Sequence, residues 1–178
     1  MTAPKLFKND LIAKIKGFTF PEAVYIVGIR GYYLNSMGKE GENDRGIFDD
    51  AIFLVGPNLF KAFNANTDPS KYQKGIATLM PGLHYYRKGK HGITKPGGGY
   101  PAFRPDTVDE SLPVTRDGKE GIFKGIAINI HSGGLYQTSS AGCQTIYKLQ
   151  WKDFQETAYK AMDEEGQRRI PYILIENK

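Results

Sequence analysis

Apolar residues occur along most of the chain in short runs of about five, which is the length of a strand, rather than at helical spacing. The clearest pair of runs, residues 51–55 and 59–63, is joined by the Gly56-Pro57-Asn58 turn and predicts a β-hairpin. Similar runs predict strands at residues 23–29, 32–34, 83–87, 108–115 and 170–175. The pattern is typical of a β-rich domain.

Two segments have helical spacing instead. Near the C-terminus, apolar side chains recur at every third or fourth position, which predicts an amphipathic helix over residues 151–165 that ends at Gly166. Its apolar positions are Trp151, Phe154, Ala158, Ala161 and Met162. Near the N-terminus, Asn9 or Asp10 is a candidate cap for a short helix that ends at Gly17. Its apolar positions are Leu11, Ile12 and Ile15.

The segments between these elements are rich in Gly, Pro, Asn and Asp, which predicts loops. The longest are residues 36–49, 64–69 and 89–105. Strands therefore dominate the middle of the chain, and helices lie near its two ends. We expect an α+β, β-rich fold in which residues 1–178 form one domain.

Composition narrows the class of protein further. Hydrophobic residues make up 40% and charged residues 24% of the chain, a balance that predicts a folded core rather than disorder. No apolar run approaches the roughly 18 residues of a membrane span. The lysines of residues 1–17 interrupt any secretory signal pattern. We therefore expect a monomer that has no membrane span and stays in the cytosol unless something releases it.

The net charge of +5 favours a polyanionic partner such as nucleic acid, anionic lipid or a bacterial wall polymer. A solvated basic surface explains it equally well. The single cysteine, Cys143, rules out an internal disulfide and a zinc site built from several cysteines.

The segment with the most chemical information is residues 125–144. Alternation along a strand would put Ile126, Ile128 and Ile130 on one face and Ala127, Asn129 and His131 on the other. Two glycines follow, and a Ser-Ser-Ala-Gly turn then leads to Cys143. We expect this connection to bring Cys143 back beside His131.

A cysteine and a histidine in contact can perform nucleophilic catalysis, because the imidazole accepts the thiol proton and stabilises the thiolate. Backbone N–H groups of Gly142 and Cys143 are candidates for stabilising a developing oxyanion. The spacing alone is also compatible with a non-catalytic role for both residues, in which the cysteine is a small buried side chain and the histidine is solvated.

His131-Ser132 followed by Ser140-Ala141-Gly142-Cys143 resembles the catalytic signature of the L,D-transpeptidase (YkuD-like) family. In that family a histidine, often followed by serine, precedes a [Ser/Thr]-His-Gly-Cys turn. Ala141 stands where the second histidine commonly is, Gln144-Thr145 replaces the usual ending, and the interval is shorter. The resemblance is greatest to the versions found in bacteriophage and interbacterial lysis proteins.

The resemblance implies an L,D-transpeptidase-like catalytic β-fold and a cysteine-dependent peptidoglycan peptidase, of the phage endolysin type, that waits in the host cytosol. It implies that Cys143 is the nucleophile, His131 its base and Ser132 the residue that orients the ring. Ser140 and Gly142 would line the acyl site. The expected partner is peptidoglycan, with no specific nucleic acid and no cofactor or metal.

Three alternatives remain open on the residues alone. An L,D-transpeptidase would use the same acyl-enzyme with an amine acceptor. A wall glycosidase would need a carboxylate pair, for which Asp49 and Asp50 are candidates, although turn residues often bond locally. A binding module for wall polymer or nucleic acid would use the basic, Tyr-rich segment of residues 84–91.

The histidines of that segment have a separate interpretation. His84 and His91 could join His131 and a carboxylate around a metal ion, although their spacing matches no local zinc pattern. Because His91 stands next to a glycine-rich loop, it is also a candidate for contacting the substrate.

Overall fold

A computed structural model describes residues 1–177. The helices are α1 (Lys8–Lys14) and α2 (Lys148–Glu164). The strands are β1 (Tyr25–Arg30), β2 (Asp50–Gly56), β3 (Leu59–Asn66), β4 (Ala77–Leu79), β5 (Gly82–His91), β6 (Tyr100–Pro105), β7 (Ser111–Arg116), β8 (Lys119–Ile126), β9 (Ile130–Ser132), β10 (Gln144–Ile146) and β11 (Arg169–Glu176). The β-rich α+β class predicted from the sequence is confirmed.

Eight strands close into a barrel in the order β1-β11-β5-β6-β9-β10-β3-β2, and β4, β7 and β8 form a separate antiparallel sheet. Most neighbours in the barrel are antiparallel, but β1 pairs with β11 and β9 pairs with β10 in parallel. The parallel β9–β10 pair positions the candidate site. Parallel neighbours begin at the same end of the sheet, so the residues that precede them lie side by side.

Both faces of the barrel wall formed by β1, β2 and β11 are covered. Every position of β2 is buried, and its residues alternate between two apolar clusters. Ile52 and Leu54 belong to the cluster that contains the buried face of α2, whereas Phe53 packs in the cluster that contains Leu11 of α1. Each fully buried large apolar side chain contributes roughly 1.5–3 kcal/mol. The two helices therefore pack against opposite faces of this part of the barrel wall.

Several predicted elements are confirmed. The hairpin forms as β2 and β3, the final strand as β11, and the amphipathic helix as α2, which begins three residues earlier than expected at Lys148. The N-terminal helix forms as α1, but the details differ from the prediction: its N-cap is Phe7 rather than Asn9 or Asp10, it ends at Lys14 rather than at Gly17, and Ile12 is 42% exposed rather than packed.

Other expectations are wrong. The segment 64–66 continues strand β3, because Asn64 and Asn66 pair with β2 or β10 instead of forming a turn. The expected loop over 89–105 shrinks to residues 92–99, since β5 and β6 pair on both sides of it. Residues 32–34 form turns, and β7 begins only at Ser111.

The single strand expected over 125–131 is also wrong. Strand β8 ends at Ile126, Ala127 has a φ of 54°, and β9 starts at Ile130. Ile126 is consequently exposed, whereas Ile128 and Ile130 are buried. Within residues 1–177, neither helix has the length and apolarity needed to cross a membrane.

Candidate active site

His131 and Cys143 meet because of the parallel pairing of β9 and β10. His131 lies within β9 opposite Thr145, and Cys143 is the residue immediately before β10. The Gln144 N–H donates to the Asn129 carbonyl at 2.8 Å, which continues the pairing back to the cysteine. The cysteine sulfur and a ring nitrogen of His131 lie within 4.8 Å of each other.

The same cluster contains a second imidazole, from His91 at the end of β5. Its ring stacks on that of His131 with centroids 3.8 Å apart and an interplanar angle of 17°. One donor atom from each of His91, His131 and Cys143 lies within 4.8 Å of the other two. His131 is 3% exposed, whereas His91 and Cys143 are half-buried and reach the surface.

The Cys143 thiol rests on backbone groups. Its Sγ accepts a hydrogen bond from the Asn129 N–H at 3.4 Å and donates to the Ala127 carbonyl at 3.6 Å. The left-handed φ of Ala127 turns the chain at this point and aims that carbonyl at the sulfur. Burial raises the pKa of the Cys143 thiol to about 11, so the resting group is a neutral thiol.

The tautomer of His131 follows from its contact with a carbonyl. Nδ1 lies 2.8 Å from the Ser132 carbonyl oxygen, which can only accept, so Nδ1 carries the proton. The Tyr100 hydroxyl lies 3.2 Å from the same nitrogen. Nε2 therefore keeps its lone pair. Burial, with repulsion from His91, lowers the pKa of His131 to about 4.

The residue predicted to orient the ring does so through its backbone. The Ser132 carbonyl accepts from His131, whereas the Ser132 hydroxyl donates to the Gly133 carbonyl at 3.0 Å. The contact with the ring is therefore made by the Ser132 backbone and not by its side chain.

The turn before Cys143 is fixed by Ser140 and Gly142. The Ser140 hydroxyl donates to the Cys143 carbonyl at 2.7 Å and accepts from the Gly142 N–H at 3.0 Å. Gly142 has a φ of 128°, and a Cβ there would lie 2.6 Å from the Ala77 carbonyl oxygen. The Gly142 N–H is therefore not available to an oxyanion, which leaves the Cys143 N–H as the candidate donor.

Gln144 anchors the other end of this turn. Its side-chain amide donates to the Gly142 carbonyl at 3.3 Å, and its carbonyl oxygen accepts from the Tyr172 hydroxyl at 2.9 Å. Gln144 is fully buried. It thus ties the cysteine turn to β11 across the interior of the barrel.

Two cavities lie near the site, one bordered by the turn before Cys143 and the other by Ser132, and neither is lined by Cys143 or His131. One of about 580 Å³ is lined by residues that include Lys71, Lys74 and Ser140. Another of about 300 Å³ is lined by Tyr100, Ser132, Gly133, Trp151 and two lysines, Lys148 and Lys152. Both have a cationic rim, which suits ligands that carry carboxylates.

Other residues singled out in the sequence lie elsewhere. His84 is buried, with Nε2 2.8 Å from the Met80 carbonyl oxygen, and its ring packs near Tyr172 rather than His131. Asp49 and Asp50 are also buried. Asp50 accepts from the Gly31 N–H and from Thr67, so it holds loops together and is not free for glycan chemistry.

Sequence reasoning missed two neighbours of the site. Tyr100 contacts His131, and Arg104 lies near enough to Cys143 to oppose the upward shift in its pKa. Glu110 forms an ion pair with Arg104. Tyr100 and Arg104 both lie within residues 89–105, which the sequence predicts to be a loop. The alternation of a strand was therefore not available to place their side chains.

Comparison of the chain with protein-family models, with curated proteins and with solved structures finds no match to any of them.

Proposed function

We propose that this protein is a cysteine-dependent peptidase that cleaves the peptide stem of peptidoglycan through an acyl-enzyme on Cys143. The observation that carries the proposal is the meeting of the thiol of Cys143, a half-buried residue, with an imidazole whose Nε2 lone pair is free. The two groups lie within 4.8 Å, and the Ser132 carbonyl holds the ring in the tautomer that a general base requires.

The reaction follows from these positions. His131 Nε2 takes the thiol proton while Cys143 Sγ bonds to the substrate carbonyl carbon. The Cys143 N–H donates to the developing oxyanion. Collapse of the tetrahedral intermediate breaks the C–N bond, and the imidazolium returns its proton to the leaving amine. Water, deprotonated by His131, then hydrolyses the thioester and frees the thiol.

The neutral resting pair sets the timing of proton transfer. With the pKa of Cys143 raised to about 11 and that of His131 lowered to about 4, an ion pair is not preformed. The thiol also begins with its hydrogen directed to the Ala127 carbonyl. We therefore propose that the bound substrate turns the thiol toward Nε2 and that proton transfer accompanies attack.

A wall peptide as substrate is supported by charge as well as by the resemblance to wall-cutting enzymes. Stem peptides carry free carboxylates, and lysines line both the cavity bordered by the turn and the cavity bordered by Ser132. The net charge of +5 adds long-range attraction to the anionic wall. Phage-type release from the host cytosol belongs to the same proposal.

Digestion of purified sacculi tests the proposal, with released fragments identified by mass spectrometry. We expect cut stems from the unaltered protein and a loss of at least about a thousandfold in Cys143→Ala. His84→Gln, which alters a histidine outside the site, serves as the matched control and should digest normally. Glycan fragments would indicate a glycosidase, and binding without any product would indicate a binding module; either result would reject the peptidase.

A further inference from the structure

We propose that His91, His131 and Cys143 form a three-ligand site for Zn²⁺, and that bound metal blocks the thiol and the imidazole together. One donor atom from each residue lies within 4.8 Å of the other two. Among residues 1–177, no other group of three His, Cys, Asp or Glu side chains brings its donor atoms this close together. The blocking effect rests on the proposed function, whereas the metal site itself does not.

The donor set selects the metal. Two imidazoles and one thiolate suit zinc, whereas magnesium and calcium prefer oxygen ligands. Donors around tetrahedral zinc lie roughly 3.3–3.6 Å apart, so the three donor atoms must move closer together by about 1 Å. The two rings are stacked in nearly parallel planes, so a shared metal also requires the half-buried His91 ring to tilt out of the stack until its lone pair and that of His131 converge. A water would complete the fourth position.

The outer contacts of His131 are those of a metal ligand. A metal-bound histidine almost always donates its other ring N–H to a carbonyl or carboxylate. The His131 Nδ1–H donates to the Ser132 carbonyl in this way, which leaves Nε2 for the metal.

Asn129 contacts His91 and can set its tautomer. The residue is 3% exposed, and its Oδ1 is buried without a hydrogen-bond partner among the described residues. Its Nδ2 lies 3.1 Å from His91 Nδ1. A half-turn of the amide would let Oδ1 accept from a His91 Nδ1–H, and His91 Nε2 would then be free to bind metal. The same half-turn moves Nδ2 to the position that Oδ1 now occupies, so the role of Asn129 is to orient His91, and the metal site rests on the three donor atoms.

Metal binding exchanges the thiol proton for the cation. Cys143 loses its thiol proton to solvent, and the thiolate and two Nε2 lone pairs bond to the cation, so about one proton is released per metal at pH 7. Lys95 and Arg104 lie close enough to His91 to disfavour added positive charge. We therefore expect binding weaker than at a structural zinc site and reversible by a chelator.

Titration of the chelator-treated full chain with Co²⁺ tests the site directly. Cobalt takes the place of zinc and gives a thiolate-to-metal charge-transfer band in the near ultraviolet. We expect one Co²⁺ per chain, displacement of the band by Zn²⁺, and release of about one proton. The band should vanish in Cys143→Ser, and affinity should fall at least about tenfold in His91→Gln. His84→Gln, as the matched control, should bind as the unaltered chain does.

Two results would overturn the inference: absence of the charge-transfer band, or unchanged affinity in His91→Gln. Activity on sacculi separates this inference from the proposed function. Inhibition by Zn²⁺ that a chelator reverses supports the blocking role, and a peptidase that needs added zinc overturns it. A chain that binds Co²⁺ as expected but never cuts stems would keep the metal site and reject the peptidase.

Discussion

At the scale of single residues, the candidate site combines a thiol and an imidazole that are each neutral at rest. Burial disfavours the charged form of both, so it raises the pKa of Cys143 and lowers that of His131. A preformed thiolate would react with any accessible electrophile. In the proposed peptidase, the neutral pair would restrict reactivity to a substrate that brings the two groups together.

Alkylation of Cys143 by iodoacetamide should therefore depend steeply on pH. Only the thiolate reacts, so the rate should rise about tenfold per pH unit from pH 7 toward the pKa of about 11. The control is the same chain unfolded in urea, in which the alkylation rate should reach half of its maximum at a pH of about 8.5. Since Cys143 is the only cysteine, intact-protein mass reports the rate. A plateau near pH 7 in the folded chain would contradict the neutral resting pair.

His131 should make stability depend on pH between its unfolded and folded pKa values. From pH 6.5 down to about 4 the unfolded imidazole binds a proton that the folded one does not, so this contribution is full above pH 6.5 and is lost as the pH falls. The shift corresponds to about 3 kcal/mol.

Urea unfolding of the unaltered chain and of His131→Gln, at pH 7.5 and pH 4.5, measures this difference. Burial raises the pKa of Asp49 to about 6, which gives a slope of opposite sign in both proteins and cancels in the comparison. The loss of stability at pH 4.5 should be smaller in the variant. Equal losses would show that His131 is not held neutral by the fold.

At the scale of elements, the decisive feature is the turn that ends on Cys143. Gly142 has a left-handed φ and faces the Ala77 carbonyl, so a side chain would meet both backbone strain and a clash. Ser140 and Gln144 hold the same turn from either end. The position of the sulfur thus depends on β4 and β11 as well as on β10.

Gly142→Ala should cost about 2 kcal/mol or more of stability and should also displace Cys143 from His131. Gly17→Ala is the matched control, because Gly17 has no left-handed φ and no atom within 4 Å of the added Cβ. Urea unfolding measures the first effect. A Gly142→Ala chain as stable as Gly17→Ala would show that the turn does not require glycine.

Local patterns predicted the elements whose partners are close in sequence. The β2–β3 hairpin and α2 were predictable because their apolar periodicity and turn residues lie within one window. The break at Ala127 was not, since its left-handed φ is imposed by packing at a residue with no turn propensity. The strand that includes Asn64 and Asn66 was hidden by residues that usually favour turns.

The residues of the candidate site likewise differ in whether their neighbours are close in sequence. His131 and Cys143 were predictable as neighbours, because only a short glycine-bearing connection separates them. The sequence offered His91 only as a substrate contact or as a metal ligand with His84, His131 and a carboxylate. Its place beside Cys143 was not predictable, because β5 reaches β9 through β6 and the barrel order cannot be obtained from local pattern. Tyr100 and Arg104 lie on β6, so their positions near the site also depend on strand pairing between segments that are distant in sequence.

At the scale of the whole molecule, barrel closure depends on a buried polar network around Arg30. Its guanidinium donates to the Thr67 carbonyl at 2.8 Å and the Leu79 carbonyl at 3.0 Å, and it pairs with Asp68 at 3.1 Å. Arg30 is 8% exposed. It connects β1 to the end of β4 and to the loop after β3, next to the closing β1–β11 pair.

Arg30→Met should destabilise the fold by about 3–5 kcal/mol, because Asp68 would lose its buried partner and two carbonyls would lose a donor. Arg168→Met, at an exposed arginine, is the matched control and should stay within about 0.5 kcal/mol of the unaltered chain. Urea midpoints at pH 7 compare the two. Equal stability of both variants would mean that the network contributes nothing to closure.

The central claim, that Cys143 is acylated by a stem peptide with His131 as its base, is tested most directly by intact-protein mass spectrometry. The chain is mixed with purified soluble stem peptides and quenched in acid at short times. We predict a mass increase equal to the acyl half of the cut stem, located on Cys143 by peptide mapping, strongly reduced in His131→Gln and absent in Cys143→Ala. Cut stems from Cys143→Ala at the rate of the unaltered chain, with no adduct on either protein, would contradict the account.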